Sequence, residues 1–279
     1  MTAVREHELS EALAAVRNRL ARAAKGAGRD VADIQLLPIT KFFPIDDVLV
    51  LHRLGCQTFG ESRDQEAVRK VAAISAVPDC GSLRWHMVGR LQRNKARSVA
   101  RWADAVHSVD SPRLITALGR AASEALDEGH RTDPLRVYLQ ISLDGDETRG
   151  GVDVAAAGRI DELAAAVDTA PGLRFVGLMA VPPQGADPGA AFARLQQERD
   201  RVQERFQQRL GLSAGMSGDL EAAVEHGSTC VRVGTALMGP RPLTSAEVVT
   251  PVTPSSQTPN TADISATSNT SAPREGSSR

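Results

Sequence analysis

Cysteine is scarce in this 279-residue chain: Cys56, Cys80 and Cys230 are all it has. Three well-separated cysteines make neither a disulfide framework nor a metal-ligand spacing, and they point to a reduced compartment. Charge of one sign is lacking too. With 33 Lys and Arg against 34 Asp and Glu the formal net charge is −1, which excludes the strongly basic footprint of a general nucleic-acid binder. No apolar run approaches the length of a membrane span. The first residues have no apolar signal-peptide core; they run straight into an amphipathic pattern with Leu9, Leu13, Val16 and Leu20 on one face. These absences predict a cytoplasmic protein with no membrane and no nucleic acid among its partners.

What is present reads as a globular α/β chain, with 42% hydrophobic and 24% charged residues. Strand patterns fall at 34–40, 57–60, 84–88, 104–109, 135–143, 173–180, 210–214 and 229–233. Several are continuous apolar runs, as expected of parallel strands covered on both faces. Helical patterns lie between them, for example at 111–128, 154–166 and 190–210. Strands alternating with helices in this number predict a single (β/α)8 TIM-type barrel, with a doubly wound open sheet as the competing architecture. After Pro242 the composition changes to Ser, Thr, Pro, Asn and Ala without period. The expected organisation is therefore a barrel with an N-terminal helix over 1–243 and a disordered tail over 244–279, since such a tail cannot bury enough apolar area to offset its ordering entropy.

The stretch LSAGMSGDLEAAVEHGSTCVRVGTALMGPR, residues 212–241, carries the most chemistry. It reads as two strand–loop–helix units, the last two of the barrel, where phosphate sites commonly form on helix N-termini. Ser217 opens the first helix, where it would also act as an N-cap before Asp219 and Glu221. The second loop is Gly234-Thr235, and a glycine there lets a phosphate approach the backbone closely. Arg232 sits between two valines in a buried strand, a placement that requires a partner for its charge. Lys41 ends the first strand in LLPITKFFP, at the barrel mouth, where it is either an ordinary rim lysine or an amine poised for an aldehyde. Strands one and eight are neighbours in a closed barrel, so Lys41 and the phosphate loops share one end. A phosphate site, an amine and a buried arginine suit pyridoxal 5′-phosphate (PLP); another phosphorylated metabolite, with Lys41 structural only, is the rival.

Beyond these features, LLPITK (36–41), FGESRDQE (59–66), WHMVGRLQRNK (85–95), ETRGGV (147–152), GLMAVPP (177–183) and the closing segment occur in order through nearly all of residues 1–242. On these stretches the chain resembles the pyridoxal phosphate homeostasis proteins. The resemblance implies a PLP-binding barrel similar to the N-terminal domain of alanine racemase. It implies PLP held as a Schiff base on Lys41, phosphate contacts on the Ser217 loop and the Gly234-Thr235 turn, and Arg232 near the cofactor ring. Ser62 and His86 complete the expected cofactor-binding set. The implied function is intracellular PLP homeostasis with little or no turnover. A monomer without a metal, with PLP-dependent apoenzymes as recipients, is the expected form. The alternative is a PLP-dependent amino-acid racemase-like enzyme. Two departures stand out. Ser62 occupies a place where the family usually has Asn, and Arg149-Gly150-Gly151 replaces a frequent Lys-Ser-Gly.

Other residues have plainer readings. Tyr138, the chain's one tyrosine, lies mid-strand and away from the mouth, so it is no second catalytic base. His86 reads equally as a mouth residue or a core histidine. Arg90, Arg93, Asn94, Lys95 and Arg97 form a basic loop that is a solvated face or meets an anion. Glu61 reads as a structural hydrogen-bond acceptor.

Overall fold

A computed structural model of the chain describes residues 3–78 and 80–240. The expected tail at 244–279 lies outside these residues.

Each apolar run becomes a parallel strand: β1 Gln35–Pro38, β2 Thr58–Glu61, β3 Arg84–Met87, β4 Ala105–Val109, β5 Leu135–Ser142, β7 Leu173–Met179, β8 Gly211–Ser213 and β9 Cys230–Val233. The sheet runs β1-β9-β8-β7-β5-β4-β3-β2, and a bridge between Ile39 and Gly60 joins its two ends. The order closes on itself, so the barrel stands and the open doubly wound sheet does not. A two-residue strand, β6 (Val152–Asp153), pairs only with β5.

Helices α2 (Ile45–Arg53), α3 (Asp64–Ser75), α4 (Ala96–Trp102), α5 (Pro112–Asp127), α6 (Ala157–Thr169), α7 (Pro188–Gln203), α8 (Leu220–Glu225) and α9 (Thr235–Met238) follow the strands. Helix α1 (Ala3–Gly26) precedes them and buries Leu9, Leu13, Val16 and Leu20, the face its sequence period marked. Apolar side chains between strands and helices form two clusters. One gathers around Leu118, Leu139 and Phe175, the other around Leu13, Phe59 and Trp85.

Where element bounds depart from the sequence pattern, local hydrogen bonds explain it. The pattern at 190–210 starts at Pro188, with Asp187 accepting from the Ala190 amide at 2.9 Å, and stops at Gln203. There the Gln203 carboxamide donates to the Phe206 and Gln208 carbonyls, both at 2.9 Å, and accepts from the Leu210 amide at 2.7 Å. It folds residues 204–210 into a loop instead of a further helical turn. The pattern at 154–166 starts late, at Ala157, because Val154 extends the β6 pairing by donating to Ser142 at 3.0 Å.

The barrel interior differs from its coat. Side chains alternate across each strand, and the inward set includes His86, His107, Tyr138, Ser213 and Arg232, all buried. Bulky branched residues usually fill such a barrel; here Leu37, Ile39 and Cys230 form only a small apolar plug. Gly60 belongs to that plug, since a Cβ there would meet Ile39 Cδ1 at 2.5 Å.

Candidate functional site

All strands are parallel, so their C-terminal ends share one face, and Lys41, Ser62, Ser217, Gly234 and Thr235 stand on it. Lys41 follows the bridge at Ile39 and is half-buried. Its ammonium lies 5.9 Å from the centre of the Phe42 ring. Phe42 is unusual: with φ 71° it is the one non-glycine among the described residues in the left-handed region, which costs energy unless its surroundings enforce it.

The enforcement is visible. The Phe42 amide donates to Glu66 Oε1 at 2.6 Å. Lys70, buried on α3, donates to Glu66 and Glu61 at 2.8 Å each and to the Thr40 carbonyl at 2.7 Å. The Thr40 hydroxyl donates to Glu61 Oε1 at 2.7 Å. Glu61, fully buried on β2, thus has the structural role its sequence context suggested. Burial pushes its carboxyl up, against the pull of Lys70. The backbone on both sides of Lys41 is clamped, leaving its side chain the freer part.

The last two loops meet. Ser217 does not cap its own helix: α8 begins only at Leu220, and Asp219 Oδ1 accepts instead from the Met216 amide at 2.5 Å. The Ser217 hydroxyl accepts from the Ala236 amide at 3.1 Å, so it caps α9 from the neighbouring loop. Arg19 of α1 donates to the Ser217 carbonyl at 3.0 Å and pairs with Glu221, fixing the loop from outside. Among the described residues, the amides of Ser217, Gly218, Gly234 and Thr235 have no protein acceptor.

Arg232 enters the interior from β9. It donates to Ser213 Oγ at 2.6 Å and to the Ala180 carbonyl at 3.0 Å. Its partners are neutral dipoles, not the carboxylate that a buried charge usually recruits. His86 is buried on β3 and faces the barrel floor, not the mouth. Its Nδ1 lies 3.0 Å from His107 Nε2, and its Nε2 lies 3.1 Å from Arg136. Burial lowers the pKa of both imidazoles, His107 the further. Tyr138 stacks on His107 at 4.5 Å, and burial pushes its hydroxyl pKa well up.

Beside the mouth, the ends of β2, β3 and β4 enclose a cavity of about 1110 Å3. Ser62 lines it, with a hydroxyl that has no hydrogen bond among the described residues. Arg90, Arg93, Asn94 and Lys95 line it as well, whereas Arg97 turns away to Glu124 and Glu128. Arg149 pairs with Asp144 and Asp146 on the surface.

Sequence reading missed His107, Ser213 and Lys70. His107 was legible in DAVHSV, where alternation places it inward with Ala105. The i, i+4 spacing of Glu66 and Lys70 was another signal. No His, Cys, Asp or Glu cluster suited to a metal occurs among the described residues, and none of their helices is long and apolar enough to cross a membrane. The three cysteines are buried and free.

Comparison with known proteins adds independent findings. The alanine racemase N-terminal domain family matches residues 12–242. The pyridoxal phosphate homeostasis protein of Mycobacterium tuberculosis is 59% identical over 247 residues, 86% of this chain and 96% of that protein. Its Escherichia coli counterpart is 35% identical over 238 residues, 84% and 97% of the two chains. Among solved structures, PipY of Synechococcus elongatus with PLP bound superposes with a TM-score of 0.68 at 32% identity, covering 83% of this chain and 100% of that one.

Proposed function

Since the chain belongs to the alanine racemase N-terminal domain family, and within it to the pyridoxal phosphate homeostasis proteins, we propose that it holds PLP through the Lys41 amine and serves the cofactor's supply rather than amino-acid turnover. The observation that supports this reading is that Lys41, the unpartnered amides of the last two loops and the buried Arg232 all sit on the C-terminal side of one parallel barrel.

The residues fit the group. The amides of Ser217, Gly218, Gly234 and Thr235 supply donors for a phosphate, with no side-chain charge required. A Cβ at Gly234 would meet nothing of the protein nearer than Ile39 at 3.7 Å, so packing alone does not require glycine there. The space suits a close anion. Ser62 presents its hydroxyl from the cavity side, and Arg232 lies buried beneath the strand ends, donating to Ser213 and to the Ala180 carbonyl just past β7. His86 acts behind Arg232, through His107 and Ser213. When bound, the cofactor supplies an aldehyde carbon for the Lys41 amine and a ring able to withdraw electrons.

These residues also argue against fast turnover. An arginine only donates, so Arg232 does not help protonate a ring nitrogen, and the ring is a weaker electron sink than one beside a carboxylate. Racemisation needs a base on each face of the substrate carbon. Tyr138 is packed against His107, with its proton held tightly by burial. We further propose that the protein works in the cytoplasm, as a monomer, and that PLP-dependent apoenzymes are the recipients.

Two measurements on the purified chain test this reading. Incubation with PLP should give the visible absorption of lysine-bound cofactor. Loaded protein given alanine or serine in deuterated water should exchange the Cα proton far more slowly than about one turnover per second. Turnover at or above that rate would favour a racemase.

A further inference from the structure

A continuous line of hydrogen bonds crosses the barrel interior from its floor to Arg232. At the floor, Arg136 near the start of β5 pairs with Asp104, just before β4; both are about one-third exposed. Arg136 Nη2 lies 3.1 Å from His86 Nε2. The line continues from His86 Nδ1 to His107 Nε2 at 3.0 Å and from His107 Nδ1 to Ser213 Oγ at 2.8 Å. It ends where Arg232 donates to Ser213 Oγ at 2.6 Å. His86, His107, Ser213 and Arg232 are each more than nine-tenths buried.

The chemistry of the end groups assigns every proton. A guanidinium has donors only, so the ring nitrogen facing Arg136 must accept. The His86 proton therefore sits on Nδ1 and is donated to His107 Nε2. The His107 proton then sits on Nδ1 and is donated to Ser213. Ser213 Oγ accepts from both His107 and Arg232, and its own hydrogen is left for the Cys230 thiol beside it. Burial favours the neutral imidazoles this arrangement needs. A rival direction exists. Asp104 Oδ2 is 3.4 Å from His86 Nε2 and, without Arg136, would draw the proton there. Both rings would switch tautomer, and Ser213 would donate to His107.

We propose that the Asp104–Arg136 pair at the barrel floor sets the tautomers of His86 and His107 and, through Ser213, holds Arg232 in its orientation toward the mouth. His107 and Arg136 are thus positioning residues for the cofactor ring, although neither reaches it. The link to the ring rests on the proposed PLP reading; the tautomers do not.

The experiment has two arms. In the first, 15N-labelled imidazole signals of the full chain without cofactor give the protonated nitrogen of each ring. Nδ1 protonation of both His86 and His107 in the wild type, reversed to Nε2 in Arg136→Met, is expected. Nε2 protonation in the wild type, or no change in the variant, overturns the relay. In the second arm, His107→Leu and the milder His107→Gln are loaded with PLP. The leucine variant should bind PLP about five- to tenfold more weakly, with a displaced visible absorption maximum, while borohydride still fixes the cofactor on Lys41; the glutamine variant should shift less. An unchanged affinity and absorption maximum in folded His107→Leu overturns the positioning role. A wild type that takes up no PLP defeats the cofactor reading instead, and the first arm still decides the relay.

Discussion

The Lys70 ammonium reaches from α3 to the carbonyl of Thr40 at 2.7 Å, one residue before Lys41. The same ammonium binds Glu66, whose carboxylate receives the Phe42 amide one residue after Lys41. A second lysine thus fixes the backbone from which the first projects. Lys70→Met would leave Glu61 buried without a counter-charge, a loss of about 3–5 kcal/mol. The variant should show a lowered unfolding midpoint in urea and reduced PLP uptake. Exposed Lys25→Met, by contrast, should change neither. Equal stability of Lys70→Met and wild type would show that the clamp is not needed.

Ser217→Asp places a carboxylate among amides that otherwise await an anion. PLP affinity should fall at least about tenfold, about 1.4 kcal/mol, read by absorbance titration. Ser217→Ala should lose less, because the amides of Ser217, Gly218, Gly234 and Thr235 remain. An unchanged dissociation constant in the aspartate variant contradicts the phosphate assignment.

Stability should depend on pH through the two buried histidines. Burial holds both imidazoles below their ordinary value of 6.5 in the folded chain. Folded His86 and His107 therefore stay neutral while unfolded imidazoles take up protons. Their contribution is fully present above pH 6.5 and is lost as pH falls through that value toward the lower folded pKa. The urea midpoint should drop between pH 7 and pH 5.5, and His107→Gln should flatten that drop. Asp104 titrates lower. Burial works against its charge, but the paired Arg136 guanidinium outweighs it and holds the carboxyl well below its ordinary value. Its contribution is present above the ordinary 3.8 and fades as pH falls toward 2, well below the histidine window.

Much of this was legible in the sequence, for physical reasons. Parallel strands covered on both faces are often written as apolar runs such as LLPI and LRFVGLM, and together with shorter patterns such as QTFG between helical stretches these placed all eight ring strands. Lys41 at a strand end and Arg232 between valines were visible for the same reason. Tertiary hydrogen bonds were not. Ser217 looked like the cap of its own helix, because nothing local reveals that Ala236 is the amide it receives. His86 read equally as a mouth or a core residue, because the partners that settle it, His107 and Arg136, lie 21 and 50 positions away. The end of α7 at Gln203 depends on a side chain folding back on its own loop, which periodicity does not record.

Deleting residues 244–279 should leave the unfolding midpoint and PLP uptake nearly unchanged, because that segment has no core-forming pattern. A fall of several degrees in melting temperature would show that it packs on the barrel.

The central claim is that Lys41 carries the cofactor. Borohydride reduction of PLP-loaded chain, followed by peptide mass mapping, should place the fixed pyridoxyl group on Lys41. Lys41→Ala should lose the visible band while still binding pyridoxine 5′-phosphate, which has no aldehyde, through the phosphate loops. Label on Lys70 or Lys95 in the wild type, or a visible band retained in Lys41→Ala, would contradict the account.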